Sequence, residues 1–271
     1  MTVSRVLIYT GHRGGLGPYH ESVKGCVDTF TVLAKRFSWK VCQVRGEDLT
    51  STLAKQVFRK TMLVIPAGPS TILERTFAEE ELFNIEDACK KGVKLVLICG
   101  SAFLFSHIRA WQASEKALKS TYKLSKMPLF PGIAKGPLYF SSHKNSDMTF
   151  RHQAVELSTK WGKIKLLNSG GGAFVSEDEG VEVLATYSAE ELERLKKATS
   201  WKNAIIKYRL GLGEILMSMV HFELGPEKID EKMMKHLFRD REKDWAKIKK
   251  SLSTDREIYD YITSLLKSSM L

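Results

Sequence analysis

The 271-residue sequence lacks any uncharged apolar run near the ~18 residues that a membrane helix needs, and Met1 to Arg5 leads straight into a strand pattern instead of a signal core. The expectation is a cytoplasmic chain with no membrane partner. Cysteine is scarce. The four present, Cys26, Cys42, Cys89 and Cys99, show no metal-type spacing and are too few for a disulfide scaffold. That pattern predicts reduced thiols and no metal. Phosphate signatures are missing too. Gly11-His12-Arg13-Gly14-Gly15-Leu16-Gly17 lies between a strand and a helix, yet His20 stands where the dinucleotide fingerprint needs its third glycine, and no Gly-Lys-Ser/Thr follows. No cofactor is therefore expected. Glycine-rich backbone at a helix start still suits an anion, which makes Gly11 and Gly14 substrate-proximal loop candidates; a plain turn is the other reading.

Basic residues are in excess, with Lys+Arg 42 against Asp+Glu 31 and a formal charge of +11. The surplus is local: residues 106–170 hold eleven basic residues against Glu115, Asp147 and Glu156. No aromatic-rich nucleic-acid motif accompanies it, so a solvated basic face is the preferred reading and nucleic acid is not expected as a partner.

Hydrophobic residues make up 43% of the chain and charged residues 27%, the balance of an ordinary globular protein. Val6 to Tyr9, Lys40 to Val44, Met62 to Ile65 and Leu95 to Cys99 read as short buried strands, separated by helical spacing over Tyr19 to Phe37 and Phe77 to Lys91. Strands apolar on both faces, with helices between them, predict a parallel sheet covered on both sides. From Pro131 to His221 the chain becomes strand-rich, with strands expected at Gly136 to Phe140, Gln153 to Leu157, Lys163 to Leu167, Ala173 to Val175, Val181 to Tyr187, Ala204 to Tyr208 and Glu214 to Met219. Beyond Gly225-Pro226 the pattern is helical. Apolar stripes there run through Met233, Met234, Leu237, Trp245, Ile248, Leu252, Ile258, Tyr261, Ile262 and Leu265, and their burial is expected because so large an exposed patch is rarely tolerated. The division expected is residues 1–225 as one domain and 226–271 as a helical extension.

Chemistry concentrates at three places. Cys99 ends an apolar strand in Leu97-Ile98-Cys99-Gly100-Ser101-Ala102-Phe103, where a sharp turn would lift a thiol to the carboxyl edge of the sheet and the next helix would favour thiolate. A buried cysteine acting as a small hydrophobe explains the residue equally well. His221-Phe222-Glu223 follows another strand and can aim an imidazole at a thiol with a carboxylate behind it. Pro66-Ala67-Gly68-Pro69-Ser70 follows the third strand, so backbone N–H groups of Gly68 and Gly100 are candidate oxyanion donors. Ser101 lies beside them as a further substrate-proximal position.

Together these pieces resemble the class I glutamine amidotransferase-like superfamily, and more closely the biotin protein ligase N-terminal domain family. The resemblance rests on Leu7 to Gly17, Val64 to Gly68, Ile98 to Phe103, Phe130-Pro131-Gly132 with Gly136 to Tyr139, Asn168 to Phe174, Val183 to Tyr187, and Gly211-Leu212-Gly213 with His221 to Glu223, spanning about residues 4 to 225. It implies a flavodoxin-like layered α/β fold with a mostly parallel sheet, Cys99 as nucleophile, His221 as base and Glu223 as its orienter. The turn departs from the family order in having Gly100 before Ser101 and bulky Leu97, and Phe222 replaces a proline; these changes predict poorly aimed oxyanion donors and little free-standing glutaminase activity. The adenylate-binding loop of a biotin ligase does not occur in the sequence, so the chain is not expected to ligate biotin itself. Two readings follow: a thiol-dependent hydrolase or amidotransferase acting on an unknown small-molecule or protein substrate, or a non-catalytic regulatory module contacting a biotin ligase or another partner.

Overall fold

The computed structural model describes residues 3–13, 17–112, 121–139, 152–194, 199–229 and 242–269. Its thirteen strands among these residues join one sheet. Five of them, β1 (Arg5–Tyr9), β2 (Lys40–Val44), β3 (Thr61–Ile65), β4 (Lys94–Ile98) and β13 (Gly213–Ser218), lie side by side in the order β2-β1-β3-β4-β13, every pair parallel.

Alternating side chains of these strands enter two different cores. Val6, Ile8, Met62, Val64, Val96, Ile98 and Leu216 pack on one face with Phe30 and Leu33 of α1 (His20–Phe37) and Ile258, Ile262 and Leu265 of α8 (Asp255–Ser269). Leu7, Leu63, Ile65, Leu95, Leu97, Ile215 and Met217 pack on the other with α2 (Gly46–Ala54), α3 (Ser70–Thr76), α4 (Glu79–Lys90) and α5 (Gly100–Leu104). Helices thus cover both faces of the parallel part, which is why these strands carry so few polar residues.

Beyond β13 the sheet turns antiparallel and mixed. The path runs through β12 (Asn203–Leu210), β10 (Ala173–Val175), β7 (Phe130–Gly136), β5 (Ser106–Trp111) and β6 (Thr121–Leu124), with β5 and β7 parallel. A branch leaves β12 through β11 (Val181–Tyr187) to β8 (His152–Thr159) and β9 (Gly162–Ser169). A short α6 (Ala189–Arg194) follows β11. The strand expected at Gly136 to Phe140 instead ends at Gly136, because Pro137 has no N–H to continue a ladder; Phe140 lies outside the described residues. The strands β5 and β6 and the helices α2 and α3 have no counterpart among the elements expected from the sequence pattern.

The described part of the tail, from residue 242 on, buries its share of the expected stripe. Trp245, Ile248 and Leu252 of and beside α7 (Glu242–Ser251) pack with Leu167, Leu224 and Ile229, while Ile258, Ile262, Leu265 and Leu266 of α8 are fully buried. Met233, Met234 and Leu237 lie outside the described residues. No helix among the described residues is long and apolar enough to cross a membrane. A buried ion pair ties the far edge of the sheet to the helix layer: Arg109 of β5 donates to Glu74 of α3 at 2.9 Å, both nearly inaccessible, and Lys123 of β6 donates to the second oxygen of the same carboxylate.

Candidate functional site

Cys99 occupies the step from β4 to α5 with φ 51° and ψ −108°, a left-handed conformation that costs a non-glycine residue energy and persists only where the surroundings hold it. Two contacts hold it. The Cys99 N–H donates to the Ser218 carbonyl at 2.6 Å, and the Ser101 hydroxyl, fully buried, accepts from Ile98 N–H at 2.7 Å and lies 2.8 Å from the Ile65 carbonyl. Ser101 therefore braces the ends of β3 and β4, with its hydroxyl committed to backbone.

The loop after β3 presses on this turn. An ideal Cβ on Gly100 would stand 1.6 Å from the Gly68 carbonyl oxygen, so only glycine allows the two segments to meet. The N–H groups of Gly68 and Gly100 take no acceptor among the described residues. The Gly68 carbonyl, however, is turned toward Gly100. Gly11 has φ 88° and its carbonyl accepts from Gly46 N–H at 2.9 Å, which anchors the first loop to α2. Gly14 lies outside the described residues.

His221 follows β13, and its N–H bridges to the Leu167 carbonyl of β9 at 2.8 Å. Its Nδ1 lies 2.9 Å from Glu223 Oε1; a carboxylate can only accept, so Nδ1 carries the hydrogen. Both side chains are almost wholly buried. Burial disfavours the imidazolium, but the Glu223 carboxylate and then the adjacent Cys99 sulfur outweigh it, holding the His221 pKa well above the ordinary range. Cys99 is thus a close neighbour of His221, near enough for its sulfur to favour the imidazolium through charge and side-chain hydrogen bonding, although Nε2 meets no partner among the described residues in strict hydrogen-bond geometry. The thiol donates instead to the Ser169 carbonyl at 3.5 Å. Cys99 also reaches two tyrosines: burial, then Cys99, pushes Tyr19 up to about 12, and the same two causes raise Tyr187.

Ser22, invisible as a site residue in the sequence, connects the pieces. Its hydroxyl donates to Glu223 Oε1 at 2.7 Å and accepts from Ala67 N–H at 2.8 Å, joining the carboxylate to the loop that bears Gly68. Gly25, one turn later on α1, lets the helix approach: a Cβ there would lie 2.7 Å from the Glu223 carbonyl oxygen. The sequence signal is slight, a serine and a glycine on the inward face of an otherwise ordinary amphipathic helix. Among the described residues no group of three His, Cys, Asp or Glu side chains is arranged to hold a metal. The thiol, the imidazole and the carboxylate are thereby brought together from two chain segments, the step after β4 and the stretch after β13, with the Gly68 and Gly100 amides, unpaired among the described residues, beside the thiol.

No curated protein matches the sequence. Among solved structures, a protein from Thermoplasma acidophilum provisionally described as a GMP synthase subunit is similar at TM-score 0.45 and 7% identity, over 82% of this chain and 85% of that one. A provisionally ThuA-like protein from Bacteroides uniformis is similar at TM-score 0.45 and 9% identity, over 81% and 82%. An exo-beta-1,4-mannosidase, Op5Man5, from an Opitutaceae bacterium is similar at TM-score 0.45 and 12% identity over 93% of this chain, which spans only 36% of that enzyme. The family model for the N-terminal region of biotin-protein ligase matches residues 4–271, a span that takes in both tail helices. The chain belongs to the biotin-protein ligase N-terminal family.

Proposed function

We propose that this chain is a class I glutamine amidotransferase-like domain that uses Cys99 as nucleophile, His221 as acid and base, and Glu223 as the group that orients the imidazole. The observation that carries the reading is the left-handed Cys99 between β4 and α5, strained in the manner of a nucleophile turn and next to a histidine whose Nδ1 is held by a buried carboxylate. In the reaction, the Cys99 thiolate attacks a carbonyl carbon, the carbon–nitrogen bond breaks, and the amine leaves with a proton from the His221 imidazolium. Water then cleaves the thioester, giving its proton to His221. The raised His221 pKa suits the first of these steps, since the imidazolium is the form that protonates a leaving amine. The Gly68 and Gly100 amides are the candidates for stabilising the oxyanion.

A second reading has its own support. The thiol bonds to the Ser169 carbonyl and the Gly68 carbonyl crowds Gly100, an arrangement that suits a regulatory domain of a biotin ligase that does not turn over. An activated ester separates the two. On the first reading p-nitrophenyl acetate leaves an acyl group on Cys99, seen by intact mass and lost in Cys99→Ala, while steady ammonia release from glutamine by the chain alone stays negligible. Absence of any Cys99 adduct in the folded protein favours the regulatory module.

A further inference from the structure

At the Gly17-Pro18 corner, the fold leaves a cleft of about 530 Å³ between the start of α1 and the carboxyl end of β2. Its wall comprises Thr10, Gly17, Pro18, His20, Val23, Lys24, Val27, Gln43 and Arg45. Three of these are basic and none is acidic. Lys24, Arg45 and His20 have no ion-pair partner among the described residues, although the nearby carboxylate of Glu47 is occupied by the Arg13 N–H. Elsewhere on the surface, exposed Lys90, Lys91 and Lys163 do pair with carboxylates. The same cleft receives the first turn of the 18-residue α1, whose N-cap residue Tyr19 provides no side-chain cap. Glu21 is the one acidic residue of that turn and lies outside the cleft wall, so the first N–H groups of α1, the unpaired Lys24 and Arg45 and the His20 imidazole converge on one concave surface.

We propose that this cleft binds a phosphate monoester with an apolar body. A dianionic phosphate matches the Lys24 and Arg45 cations, with the His20 imidazole and the Gln43 amide as further polar partners; the Thr10 hydroxyl is committed to the Val44 carbonyl at 3.2 Å. The apolar wall of Pro18, Val23 and Val27 gives the body of the ligand a surface to lie on, and the volume falls within the range of small-molecule sites. The cleft is separate from Cys99, but its Gly17-Pro18 rim packs directly on Gly68, with an ideal Gly68 Cβ only 2.9 Å from Pro18 Cα. An occupied cleft would therefore bear on the loop beside the thiol. The binding itself does not depend on whether Cys99 reacts.

Titration calorimetry with phenyl phosphate, with phenol as its uncharged counterpart, tests the assignment on the full chain. Saturable binding of phenyl phosphate and none of phenol is expected. Each lost cation should weaken binding about tenfold, the worth of one charge-assisted hydrogen bond, so Lys24→Glu with Arg45→Glu should lower affinity by about a hundredfold or more. A charge-matched variant of α7, Lys249→Glu with Lys250→Glu, should bind as the unaltered protein does. No saturable heat, equal binding of phenol, or an equal loss in the α7 variant each overturns the proposal, the last by reducing the effect to net charge.

Discussion

The parallel and antiparallel halves of the sheet give the site different things. The parallel half supplies position: β3 and β4 end side by side, so the Gly68 loop and Cys99 reach one edge through backbone geometry alone. The antiparallel half supplies partners: β9 offers the Leu167 carbonyl to His221 N–H and the Ser169 carbonyl to the Cys99 thiol. The strand β13 belongs to both, parallel to β4 and antiparallel to β12, and it delivers His221 and Glu223. The proposed site lies at the seam between the two, so on that proposal changes that loosen the seam should alter chemistry as well as stability.

The largest expected effect concerns the link across the sheet. Glu74→Ala leaves Arg109 buried without its counter-charge, and breaking a buried pair from one side typically costs about 3 to 5 kcal/mol. Chemical denaturation should show a loss of that size; a loss near zero would mean that the two halves are held together by strand pairing alone. Next in size is Ser22→Ala, which deprives buried Glu223 of one donor and Ala67 N–H of its acceptor. A stability loss of about 1 to 3 kcal/mol is expected, with slower alkylation of Cys99. Unchanged alkylation would separate the Glu223 network from the thiol.

Which parts of this are legible in the sequence follows from burial. The strands β3 and β4 read correctly because both faces are covered, leaving a continuous apolar run such as Met62 to Ile65. The strand β6 is not legible because all four of its residues are exposed, and what holds it is pairing with β5 and the Lys123–Glu74 contact, neither of which leaves a local pattern. The helix α2 is hidden for a related reason, with only Leu49 and Leu53 as large buried side chains. Cys99 and His221 stand out because strand ends are where a sheet presents chemistry. Ser22 does not, because its role exists only once α1 lies against the segment after β13.

A smaller effect reads the charge state of the seam. His221 holds its proton above the ordinary imidazole value of about 6.5, so its pairing with Glu223 contributes fully below that pH and is lost as pH rises through the folded pKa. His221→Gln should accordingly cost more stability at about pH 6 than at about pH 10, by about 1 kcal/mol or more, measured as the difference in unfolding free energy from the unaltered protein. An equal cost at both ends would mean that His221 is neutral in the fold.

The central claim, that the strained turn makes Cys99 a nucleophile, is met most directly by timed iodoacetamide labelling near neutral pH with peptide mass spectrometry. Burial pushes the Cys26 thiol well up and Cys89 up to about 12, while Cys42 is half-buried in β2 away from any such turn. Cys99 should label faster than all three, and about tenfold slower once His221→Gln removes the neighbouring imidazolium. If Cys99 labels no faster than Cys42 in the folded protein, or if its rate is indifferent to His221, the turn is a structural feature and the nucleophile assignment is wrong.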